Sequence, residues 1–127
     1  MRKPLNPKKY KDQTAIVRSW AEIEQHYINL TKNGWDLKPM IELVQHIIKT
    51  KISERLFAYT SMDKLVVGIY NPLEWNREVL HIEFDVHSQK WYFMYYPKPN
   101  EPIEFERQYD PGAGLDKFDK FIKLKKW

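Results

Sequence analysis

The sequence predicts an α+β fold: an antiparallel five-stranded meander sheet with two N-terminal helices and one C-terminal helix. Three observations predict it. Apolar residues recur every three or four positions through Ile48, alternate with polar ones after Lys51, and return to helical spacing after Asp110. A chain of 127 residues fits one domain with its own core, here residues 13–127, behind a flexible basic tail at residues 1–12.

The first helix is set by Ile16, Trp20, Ile23, Tyr27 and Leu30, and Asn33-Gly34 supplies a left-handed stop. The second has Asp36 as a cap, Pro39 in its first turn and a wide apolar face of Met40, Leu43, Val44, Ile47 and Ile48, suited to a sheet. Strands are expected at residues 56–60, 65–70, 79–86, 91–96 and 103–108. The turn signals between them, Ser61-Met62-Asp63-Lys64, Asn71-Pro72, His87-Ser88-Gln89-Lys90 and residues 97–102, are short enough for hairpins. Asp110-Pro111-Gly112-Ala113-Gly114 leads into a last helix whose apolar side is Leu115, Phe118, Phe121 and Ile122. Trp35 and Trp127 read as interhelical and C-terminal packing.

The absence of cysteine excludes disulfide scaffolds, thiol nucleophiles, zinc fingers and iron-sulfur clusters. No apolar run is long enough for a membrane span, so a cytoplasmic protein without membrane association is the expectation. The formal net charge of +4 comes entirely from the first 12 residues, where Arg2, Lys3, Lys8, Lys9 and Lys11 face only Asp12. The remainder is balanced, which leaves nucleic-acid binding no basis outside that tail.

The clearest alternation is residues 80–87, Leu-His-Ile-Glu-Phe-Asp-Val-His. It sends Leu80, Ile82, Phe84 and Val86 to the core. Pairing Val86 with Trp91, Phe84 with Phe93 and Ile82 with Tyr95 keeps the apolar sets of both strands together. The opposite face then carries His81, Glu83, Asp85 and His87 beside Tyr92, Met94 and Tyr96, with Tyr70 from the neighbouring strand and a shallow hollow at Gly68. Tyrosine contributes contact area at little entropic cost, so this face is the candidate binding surface. Trp75, in the polar loop that follows Asn71-Pro72, is a candidate interface anchor.

Other chemistry finds less footing. The row of His81, Glu83, Asp85 and His87 has the ligand types for a divalent metal, but two-residue spacing sets neighbours roughly 6 to 7 Å apart along a pleated strand. A site would need a ligand from elsewhere, and no cofactor or metal residue is assigned. None of the four serines sits in a nucleophile elbow, and no glycine-rich loop has phosphate-binding spacing. Glu104 and Glu106 fit an edge strand discouraging unwanted pairing. His26 and His46 read as structural or surface residues. The lysines of the last helix suit the negative end of its dipole.

With two helices, strands over residues 56–60, 65–70, 81–85 and 91–96, and a terminal helix ending in Trp127, the chain resembles small bacterial single-domain α+β proteins. Toxin-immunity proteins are common among these. The resemblance implies a protein that acts by covering a partner. The expected function is a non-enzymatic protein-binding domain whose partner is another protein or a second copy. The alternative is a small ligand-binding protein or enzyme using the His81 to His87 row, with or without a metal.

Overall fold

The computed structural model describes residues 17–71, 73, 78–97 and 105–127. Helices α1 (Trp20–Lys32) and α2 (Lys38–Lys49) come first, then strands β1 (Phe57–Ser61), β2 (Lys64–Gly68), β3 (Val79–Asp85), β4 (Lys90–Tyr96) and β5 (Phe105–Tyr109), and finally α3 (Gly114–Lys125). The sheet order is β1-β2-β3-β4-β5 with every pair antiparallel, so the α+β meander is the fold of this chain. The basic tail at residues 1–12, Trp75 and Glu104 lie outside the described residues.

Local chemistry accounts for the helix ends. Ser19 caps α1 with a reciprocal capping box: its hydroxyl accepts from the Glu22 N–H at 3.1 Å, and the Glu22 carboxylate accepts from the Ser19 N–H at 3.2 Å. Gly34, at φ 101°, makes the left-handed exit. The start of α2 differs from expectation, because Asp36 is not the cap. Leu37 holds that position with no side-chain hydrogen bond and is fully buried, so burial rather than capping sets this start.

All three helices contribute to one apolar core with the inward face of the sheet. Ile23 and Tyr27 of α1, Met40, Leu43, Val44 and Ile47 of α2, and Phe118, Phe121 and Ile122 of α3 pack with Leu65, Val67, Leu80, Ile82, Phe84, Trp91, Phe93 and Tyr95. Trp91 anchors the far end: its ring meets Phe84 edge-on at 5.2 Å and its indole N–H donates to the Pro111 carbonyl at 2.9 Å. Trp127 is buried, as expected, against Phe121. His46 and Asp119 tie α2 to α3 at 2.8 Å, a partnership between distant segments that local sequence does not reveal.

The β3–β4 register differs from expectation by two residues. Phe84 pairs with Trp91, Ile82 with Phe93 and Leu80 with Tyr95, and the connection runs from Val86 to Gln89. The Asp85 carboxylate accepts the His87 N–H at 2.9 Å, the Asp85 carbonyl accepts the Gln89 N–H at 2.8 Å, and Gln89 takes a left-handed φ of 56°. These interactions close the turn one residue earlier and bring Val86 into it. An even shift preserves face parity, so the same side chains still point outward.

Candidate functional site

With the helices gathered on one side, the opposite face of β3 and β4 carries the expected row. His81 pairs with Met94 and Glu83 with Tyr92, and Tyr96 stands opposite Val79. Among the described residues no helix covers this face: the helical residues packed on the sheet belong to the main core, on the other side. His81, Glu83, Tyr92, Met94 and Tyr96 are all partly exposed.

The outer face is not uniformly open. Val66, Leu73 and Val79 form a second buried cluster there, joined by Val17, Phe57, Tyr59 and Tyr96. The hollow expected at Gly68 is filled, because a Cβ at that position would come within 2.6 Å of the Leu73 side chain. Glycine is required for close approach rather than for a binding dent.

Three expected members leave the row. His87 sits in the β3–β4 turn, exposed, and not on the strand. Asp85 is spent on that turn, and the His87 N–H it accepts holds its carboxyl below the usual range. Tyr70 lies in the bend beyond β2, its hydroxyl toward Glu78, which also accepts a hydrogen bond from the core residue Tyr95. What remains together is His81, Glu83, Tyr92, Met94 and Tyr96. Among the described residues no group of three or more His, Asp or Glu is placed to hold a metal ion.

The electrostatics of this face are particular. His81 meets Tyr96 at a tilt, with ring centroids 4.7 Å apart, and its Nδ1 is buried with no hydrogen-bond partner among the described residues. Burial, helped by the Lys64 charge, pushes its pKa down to about 4, so the ring is neutral at pH 7. Glu83 moves the other way: burial raises it, with the charges of Asp63 and Asp85 adding to the effect and Lys64, 4.0 Å away, opposing it.

A pH dependence follows for His81. Between its folded value of about 4 and its ordinary 6.5, the unfolded chain binds more protons than the folded one, so stability falls as pH drops through that window. After allowance for partial solvent access, the loss is roughly 1–2 kcal/mol. Glu83, raised in the fold, works against it over the window above its ordinary 4.5. Urea midpoints at pH 7 and pH 4.5 should show a larger acid-side loss for the wild type than for His81→Phe; equal losses would contradict the assignment.

Sequence reasoning missed a second feature. Trp35, expected between helices, is 52% exposed, and Met62, at the β1–β2 connection, is 87% exposed. With His26, Leu30 and Asp63 they line a hollow of about 330 Å³. The signal was weak in the sequence, since a tryptophan after Asn-Gly reads equally well as packing. A smaller hollow of about 210 Å³, lined by Arg18, Glu22, Ile23, His26 and Thr60, shares His26 with it.

Among the described residues no helix is long and apolar enough to cross a membrane. No protein-family model matches the chain, and no curated protein or solved structure matches it either.

Proposed function

We propose that this protein is a non-enzymatic binding module of the cytoplasm that acts by protein contact, with the outer face of β3 and β4 as its contact surface. The observation that carries the reading is Tyr92 and Met94, with Tyr96 and the neutral His81 beside them, on a sheet face that none of the described helices covers. Flat, rigid aromatic area with a polar margin suits a protein partner, because few rotamers are lost on contact. The action is occlusion or anchoring, with no bond made or broken. In its immunity-type form, the partner is a toxin whose working surface is covered.

The test compares the wild type with Tyr92→Ala/Met94→Ala in affinity capture from the native cell extract, followed by titration of the recovered protein. Neither residue belongs to either buried cluster, so the variant should fold. Loss of one dominant partner in the variant supports the reading; equal retention by both proteins contradicts it.

A further inference from the structure

We propose that the hollow between Trp35 and Met62 receives an apolar side chain flanked by Lys or Arg on a partner protein. This rests on the protein-binding reading and adds a second contact point with its own chemistry.

The hollow is built on fixed elements. Its wall is the tip of the β1–β2 hairpin, where Ser61 pairs with Lys64 and only Met62 and Asp63 connect the strands. Helix α1 holds that tip through its main chain: His26 Nε2–H donates to the Met62 carbonyl at 2.9 Å and the Tyr27 hydroxyl donates to the Asp63 carbonyl at 3.1 Å. The side chains of Met62 and Asp63 are thereby presented outward from a pinned backbone.

Met62 is costly where it stands. It has φ 60° at the first position of a two-residue hairpin connection, where glycine is preferred. A side chain there is strained where glycine would not be. It also places a large apolar group almost wholly in water. The fold gains little from this side chain, whereas a contact surface gains an adaptable apolar edge opposite an exposed indole. Trp35 and Met62 are two of four large hydrophobics exposed among the described residues, and they face one hollow; Ile48 and Leu124 do not line it.

Charge selects the occupant. Asp63 lines the hollow, and both it and Asp85 lie close enough to Glu83 to interact with it. Lys64 offsets Glu83 at 4.0 Å, which leaves an acidic margin beside an apolar floor. A volume near the lower end of ligand sites, about 300 Å³, suits one or two side chains. An apolar residue between cations satisfies both parts.

The probe is a phage-displayed random dodecapeptide library panned on the wild type, with depletion on Trp35→Ala/Met62→Gly. Recovered peptides should carry Leu, Ile or Phe beside Lys or Arg and bind the wild type at least tenfold more tightly than the variant. Peptides without that pattern, or binding both proteins equally, overturn the proposal. A consensus reproducing residues 2–9 of this chain, tightened by deleting residues 1–12, or dimerisation lost in the variant, assigns the hollow to the chain itself and also overturns it. Asp63→Lys should shift recovery toward acidic peptides; an unchanged preference removes the electrostatic basis. The variant should be at least as resistant to urea as Trp35→Ala alone, since Met62→Gly relieves strain. Partner capture lost in Tyr92→Ala/Met94→Ala but kept in Trp35→Ala/Met62→Gly fails this inference and leaves the sheet-face reading standing; capture kept in both fails the two together.

Discussion

Gly114→Ala is expected to lower stability by roughly 3 kcal/mol, the largest effect of an added methyl group at any of the four glycines. Gly114 opens α3 with its backbone pressed against the indole of Trp91, and a Cβ there overlaps three atoms of that ring. The ring cannot retreat, because Phe84 and Phe93 pack on it edge-on and its N–H is committed to the Pro111 carbonyl. Relief therefore requires displacing the start of α3 from the sheet. Thermal melting should show a fall on the order of 10 °C for a domain of this size. A change within two degrees would mean that the α3–Trp91 contact is looser than described. Gly112→Ala is the control, since a Cβ there meets nothing within 4 Å.

The second large effect concerns binding. Tyr92→Ala/Met94→Ala should weaken association with the partner at least thirtyfold, about 2 kcal/mol, because central aromatic contacts dominate protein interfaces. Stability should change far less. Tyr92 pairs with Glu83 and Gln108 and Met94 with His81 and Glu106 on the outward face, so truncation removes cross-strand contacts rather than core packing. Tyr96 is a poorer choice for the same test, since it packs against the Val66, Leu73 and Val79 cluster and on His81. Its truncation would confound folding with binding. An undiminished affinity measured on folded double variant would move the contact surface elsewhere.

How much of this was legible differs by element. The alternation of residues 80–87 was enough to place His81, Glu83, Tyr92, Met94 and Tyr96 on one face, because parity survives a register error of two. The turn was not legible in the same way: whether Asp85 serves the strand or the turn depends on a side-chain hydrogen bond to the His87 N–H, and a left-handed Gln89 carries no sequence mark. Gly68 looked like a gap because its occupant, Leu73, comes from the loop and not from a neighbouring strand. Trp35 looked like packing, yet the buried place between the helices goes to Leu37, two residues later. Strand parity alone shows which tyrosines of β4 face outward; for Trp35, which lies outside any strand, only the three-dimensional neighbours do.

The central claim is that the outer face of β3 and β4 touches another protein. Its most direct test is a photo-crosslinking amino acid placed at Tyr92 and, in a separate protein, at Lys123 on the exposed side of α3, each irradiated in the cells that make the protein. A single adduct from position 92, and none from position 123, is the expected result. No adduct from position 92, or the same adducts from both positions, would contradict it.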